Sequence, residues 1–355
     1  MIFCGFVLLS FNGYTFTEDV DQAIETGDVK KIKAEINLIN AILSLESTPE
    51  SIRKIVSHFE KNDYYFDWSY LEKKGKWEKA PGYIDEFDSG AKVVQDLLKQ
   101  AEKRRVRLFE ENSGNYTLEK LLVLLGDLYR KDVSFPMMVG QTNDNIFLKS
   151  FYADHAQYSA RVLNYAHPDL GTFSRNNFNH VTPTSETIKI SSRPRFGGTR
   201  IYALPGKTFT VTRIDKNDTY VAIMVNIIRP DAIKPFNQSK KMSANYSRPK
   251  WLRSNIHEIK AGESLKFTSN YGGPVYLEFI EEGIPVELRF DNVGIYPQLR
   301  SLSKKHLQTF IKLLEADLYD WVSIKLPSFE LLSRRDLFMK SLEKEGLLYL
   351  SLTRL

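Results

Sequence analysis

Cysteine is almost absent from this chain: of 355 residues only Cys4 is one. A lone thiol excludes an internal disulfide framework and any thiolate zinc site, so packed cores must hold the protein together. Also missing is a run of about 20 apolar residues after the N-terminus, and with it any sign of a membrane helix. Neither charge sign dominates, with 49 basic against 44 acidic residues and a formal net of +5. The densest basic cluster, Lys103-Arg104-Arg105-Val106-Arg107, is short and close to acids, which fits a solvated helix face and not a nucleic-acid stripe.

The recognisable catalytic patterns are lacking too. There is no G-x-S-x-G elbow, no phosphate-binding loop and no dinucleotide fingerprint. Zinc hydrolysis in its simplest form needs two imidazoles on one helix face with a glutamate between them. The one His-Glu pair, His257-Glu258, runs on into Ile259-Lys260-Ala261, so alanine stands where the second imidazole belongs. It also lies in a stretch of period two, where alternate side chains point to opposite faces, and it reads as a surface strand residue. Asp154-His155 sits on an expected helix, where neighbours diverge by about 100°, so the pair is read as structural, with the imidazole bonded to nearby backbone. From the residues alone the expectation is no catalytic residue and no metal ligand in this chain.

What is present is enough hydrophobic sequence, 42%, for more than one core, given that domains usually hold about 100 to 200 residues. From Glu18 to about Tyr165 apolar residues recur at helical spacing, as in Val29, Ile32, Ile36 and Ile39 or Val93, Val94, Leu97 and Leu98. The stretch Gly75 to Gly90, with Pro81-Gly82 and Asp88-Ser89-Gly90, predicts a loop between two helical groups. Thr117 reads as an N-cap for an apolar helix that stops at Gly126-Asp127. Between His167 and Gly198 the composition turns to Asn, Ser, Thr, Pro and Gly, which marks a boundary.

From Thr199 to about Val293 the period becomes two, through Thr208–Thr212, Tyr220–Ile228, Ser264–Thr268, Val275–Phe279 and Val286–Phe290. Glycine and proline turns separate these runs, as a β-sandwich or small barrel requires. After Tyr296-Pro297 a helix follows the capping-type Ser301-Leu302-Ser303-Lys304. Trp321 to Leu326 then alternates as a strand ended by Pro327, and a last helix spans about Ser333 to Lys344.

The expected organisation is α+β and multidomain: an apolar, signal-like segment at 1–17, a helical domain at 18–180, a β-sandwich at 195–295 and a small mixed α/β segment at 296–355. The apolar start, Ile2 to Phe11, lacks a preceding basic residue and a small-x-small cleavage site, so it is an incomplete export signal; it points to secretion or the cell surface, the alternative being the first strand or helix of a soluble domain. Rings are plentiful, and Trp251, between Lys250 and Arg253, is read as an exposed ring and the candidate glycan contact.

Several blocks carry a resemblance. Gly126-Asp127-Leu128-Tyr129-Arg130, Phe135-Pro136-Met137-Met138-Val139-Gly140, Ala153-Asp154-His155 and Asp169-Leu170-Gly171-Thr172-Phe173 resemble the helical region ahead of the peptidase unit in ImpA-like, enhancin-like zinc metallopeptidases. Tyr202-Ala203-Leu204-Pro205-Gly206-Lys207, Arg248-Pro249-Lys250 and Ser269-Asn270-Tyr271-Gly272-Gly273-Pro274 are similar to the β-sandwich opening the peptidase module, and Asp320 to Pro327 to the stretch leading toward its active-site helix. The resemblance implies secreted bacterial enzymes that use zinc to cleave mucin-like, O-glycosylated host proteins. It also implies that this chain holds the front portion, truncated before the zinc motif, and is inactive by itself with no cofactor of its own. The alternative is a non-catalytic module that binds glycoprotein or carbohydrate. Neither reading involves nucleic acid.

Overall fold

The computed structural model describes residues 15–62, 82–111, 113–133, 135–137, 143–161, 164, 178–230, 233, 235, 246–327 and 329–344. The apolar start with Cys4, Asp169 to Phe173, Met138 to Gly140 and the residues after Lys344 lie outside them.

Helices come first: α1 (Glu18–Thr26), α2 (Glu35–Ser44), α3 (Glu50–Lys61), α4 (Gly82–Lys103), α5 (Thr117–Tyr129) and α6 (Asp144–His155). Their apolar stripes meet in one core, with Ile52, Ile55, Phe59, Val94, Leu98, Leu121, Leu125, Phe147 and Phe151 all buried. Two sequence expectations fail here for the same reason. The Gly75 to Gly90 loop is helix from Gly82 onward, and Gly126 lies inside α5 instead of ending it. A Cβ on Gly90 would stand 2.7 Å from Ser51 O and from Ile55 Cγ2, and one on Gly126 2.7 Å from Ala156 Cβ. Both glycines are points where backbones nearly touch. Thr117 is the first helical residue of α5 and not its cap; its hydroxyl donates to Asn115 Oδ1 at 2.8 Å.

The β part comprises β1 (Thr184–Ser191), β2 (Arg195–Ala203), β3 (Thr208–Arg213), β4 (Val221–Val225), β5 (His257–Glu258), β6 (Ser264–Thr268), β7 (Gly273–Phe279) and β8 (Pro285–Ile295). The strand order is β5-β4-β7-β2-β8-β3-β6, with β1 also on β8. Strand β8 belongs to two layers: its first part pairs with β1 and β3, and Gly294 and Ile295 pair with β2. The sheet therefore folds over itself as an antiparallel, sandwich-like half-barrel around Val211, Ile223, Leu277, Leu288 and Phe290. Strand β1 falls in the stretch read as a boundary.

A three-stranded sheet follows, ordered β11-β10-β9, from β9 (Gln298–Leu299), β10 (Trp321–Leu326) and β11 (Phe329–Arg334), with α7 (Lys304–Glu315) and α8 (Arg335–Lys344). Strand β10 runs parallel to β9 and antiparallel to β11. Residues 329–334, whose end was assigned to the last helix, are a strand. Tyr202, Tyr296, Tyr319 and Trp321 pack this small sheet onto β2.

Candidate functional site

The most heavily connected polar group lies where helix and sheet meet. Asp154 falls at i+7 from Phe147 and i+3 from Phe151 on α6, so the apolar stripe of that helix carries a carboxylate into the interior, where it is 1% exposed. Its Oδ2 accepts from Tyr246 Oη and from the backbone N–H of Lys250, each at 2.7 Å. Its Oδ1 accepts from Trp251 N–H at 3.2 Å, Tyr271 Oη at 3.1 Å and Gln157 Nε2 at 3.1 Å. A buried carboxylate is stable only when its lone pairs are filled in this way. The effect is to tie α6 to residues 246–251 and to the turn entering β7.

Trp251 is placed by that joint. Its ring is half-buried, not exposed, with Lys99 Nζ 4.4 Å and Lys250 Nζ 5.1 Å from the ring centroid and the His155 ring 5.8 Å away. Such cation–π contacts contribute on the order of 1 kcal/mol each. The indole N–H has no partner among the described residues.

His155 Nδ1 lies 2.8 Å from Phe151 O, the backbone bond expected of a structural histidine. Burial pushes its pKa down to about 4, against the pull of Asp154 and the Phe151 carbonyl, so the ring is neutral near pH 7.

A second buried carboxylate, Glu102 near the end of α4, accepts from the N–H of Ser159 and, at 3.0 Å, that of Ala160, and also from Asn255 Nδ2. Just beyond, Arg105 donates to Glu263 Oε1 and to Glu258 O, both at 3.0 Å, and Arg107 donates to Ser264 O at 3.2 Å. The basic cluster is solvated as expected at Lys103, Arg104 and Arg105, and in addition Arg105 and Arg107 clamp the helical part to β5 and β6. A third carboxylate, Asp127, pairs with Arg161 at 2.7 Å and Arg130 at 3.6 Å, all three at most 3% exposed. The Arg161 carbonyl in turn accepts from Thr268 Oγ1 at 3.1 Å.

His257 lies on β5 as expected, but most of its ring is buried edge-on against Phe267, with centroids 4.8 Å apart. Burial lowers its pKa. Among the described residues no three His, Cys, Asp or Glu side chains converge on one point. With Ala261 in the place of a second imidazole and the His257 ring set against Phe267, these residues do not fit a zinc ion. Among the described residues no helix is long and apolar enough to cross a membrane.

The sequence singled out Trp251 and left Asp154, Glu102 and Asp127 unassigned as polar anchors. The available signal was a carboxylate on an otherwise apolar helix stripe, as at Asp154.

These features define a class: a helical domain bound through buried carboxylates to an antiparallel, sandwich-like β layer and a small mixed sheet. Residues 53–162 match the profile of the immunomodulating metalloprotease helical domain. The chain is 25% identical over 310 residues to the immunomodulating metalloprotease of Pseudomonas aeruginosa, covering 84% of this chain and 32% of that protein. In fold it matches the IMPa of Pseudomonas aeruginosa in complex with an O-glycopeptide, with a TM-score of 0.71 and 23% identity over 82% of this chain and 34% of that one. It likewise matches an IMPa metallopeptidase in complex with T-antigen, at TM-score 0.71 and 21% identity over 84% and 34%. The chain is thus similar in sequence and fold to these metallopeptidases, of whose length it spans about a third.

Proposed function

We propose that this chain is the front, non-catalytic part of an exported bacterial zinc metallopeptidase acting on mucin-like, O-glycosylated proteins. The observation that carries the reading is the block formed by the matched helical stretch and the β layer, joined at Asp154 and Glu102. The identity and fold shared with the immunomodulating metalloprotease support the same assignment, and the solved relatives holding an O-glycopeptide or T-antigen support glycoprotein substrates. The apolar run from Ile2 to Phe11 supports export. The role of these residues is placement: they fix the small sheet and its neighbours in one orientation for the chemistry that follows. A peptidase needs such rigidity because small displacements of a bound substrate cost much of the rate.

The test is zinc content and chelator-sensitive cleavage of an O-glycosylated protein, for the purified 355-residue chain alone and for a fusion that adds to its end the remaining part of the Pseudomonas aeruginosa relative. The expected result is activity and stoichiometric zinc only in the longer protein. Zinc with cleavage by the chain alone would overturn the reading.

The second reading is a glycoprotein-binding module with Trp251 in the sugar contact, which the part of its ring left open to solvent supports, the indole N–H itself being buried. Trp251→Ala separates the two: loss of saturable glycoprotein binding with an unchanged melting temperature favours the module, and unchanged binding removes it.

A further inference from the structure

Away from the helix–sheet joint, a groove of about 590 Å³ opens between the edge of β2 and the β10–β11 hairpin. Four cations line it, Arg193, Arg195, Arg300 and Lys325, against one carboxylate, Glu330. That carboxylate is already engaged: Gly198 N–H donates to its Oε1 at 3.0 Å and its Oε2 at 3.1 Å. Lys325 Nζ donates to Gly198 O at 2.7 Å, and Arg193 makes only a 3.4 Å contact to Pro327 O. No side-chain acceptor reaches the guanidinium of Arg195 or Arg300 among the described residues. Like charges gathered with so little compensation repel one another, and burial works further against the charge on Lys325 and Arg300. An arriving anion relieves both.

Backbone geometry singles out the same place. Arg195 holds φ at 86°, a left-handed conformation that costs a non-glycine residue on the order of 1 kcal/mol or more. It does so at the first residue of β2, opposite Phe279, where an ordinary strand would begin without strain. Beside the cations stands Phe329, 52% exposed, a flat apolar face within reach of whatever the cations hold.

We propose that this groove binds an acidic saccharide, with the carboxylate or sulfate ester of the sugar on Arg195 and Arg300, its ring against Phe329, and a hydroxyl donating to Glu330. Guanidinium groups suit both anions because their N–H donors form a fork that matches two oxygens at once. The aromatic face and the acceptor favour a sugar over a bare inorganic anion. The cations form one compact cluster in a chain whose charges are otherwise interspersed, which disfavours a nucleic-acid backbone. The choice of a glycan as carrier of the anion rests on the glycoprotein reading; the anion site itself does not.

The experiment is calorimetric titration of the whole chain with 3′-sialyllactose, a sulfated disaccharide, lactose, inorganic sulfate and a short oligothymidine, then with sialylated and desialylated O-glycopeptide. It is repeated on Arg195→Gly and Arg300→Gln. The Arg195→Gly variant removes a cation and relieves the positive φ together, so its melting temperature holds or rises while affinity for the charged sugars falls about tenfold, the loss of one charge-assisted contact. Lactose binds weakly or not at all. Equal binding of sialylated and desialylated glycopeptide, unchanged in both variants, would overturn the groove and leave the glycoprotein reading standing. Charged sugars that bind in an Arg195-dependent way, with neither glycopeptide bound, would uphold the groove and remove the glycoprotein reading. Preference for oligothymidine, or for sulfate over both sugars, lost in Arg195→Gly, would overturn the saccharide assignment.

Discussion

Asp154 accepts from donors on both sides of the joint, so removing its carboxylate strands two tyrosine hydroxyls and two backbone N–H groups in the interior. Asp154→Ala is expected to cost about 3 kcal/mol or more, the range for breaking a buried charged network, read as a lower urea midpoint. A variant as stable as the parent would show that water fills the role. His155 gives a pH signature of definite sign. Unfolded, the imidazole takes its proton near 6.5; folded, it resists until about 4. Between those values the unfolded chain binds more protons, so stability falls as pH drops through the window, by up to about 3 kcal/mol, and is unaffected above it. His155→Asn, which keeps a donor for Phe151 O, should flatten that part of the stability profile; an unchanged slope would assign it to another group. The sequence showed His155 as a structural histidine bonded to nearby backbone, and the structure agrees, but it did not show the network around Asp154. Only the position of Asp154 on the Phe147–Phe151 stripe hinted at it, and all its donors but Gln157 lie 92 to 117 residues further along the chain.

Among the elements, those with a strong local period were legible. Strands β3, β6 and β10 appear within a residue of where period-two alternation put them, because each buries alternate or successive side chains against a core. Strand β1 escaped notice because Ile188 is its only buried side chain, and β11 because none of its side chains is. Hydrophobic pattern records burial, and strands with little of it leave little pattern. The two glycines in helices failed differently. Sequence gives Gly one meaning as a breaker, while here it permits close approach of α3 to α4 and of α5 to the end of α6. Gly126→Ala should therefore destabilise by about 1–3 kcal/mol even though alanine is worth about 1 kcal/mol more in a free helix. A rise in thermal stability would mean that Ala156 can move aside.

At the scale of the whole molecule, Glu102, Asp154 and the Arg105 and Arg107 clamps make the helices and the β layer one mechanical block. The chain should unfold in a single calorimetric transition. Combining Glu102→Gln with Asp154→Asn should split it in two, because each part keeps its own core while the joint loses its charged acceptors. One transition in the double variant would place the coupling elsewhere.

The sequence by itself determined the order helical, then β, then mixed, the absence of an H-E-x-x-H motif and the resemblance to ImpA-like metallopeptidases, since periodicity and short motifs are local properties of the chain. Which carboxylates lock the parts together, how far Trp251 is covered, and the gathering of Arg193, Arg195, Arg300 and Lys325 around one groove were decided only in three dimensions. These depend on residues from about 30 to more than 100 positions apart, and no local pattern encodes the meeting of distant side chains.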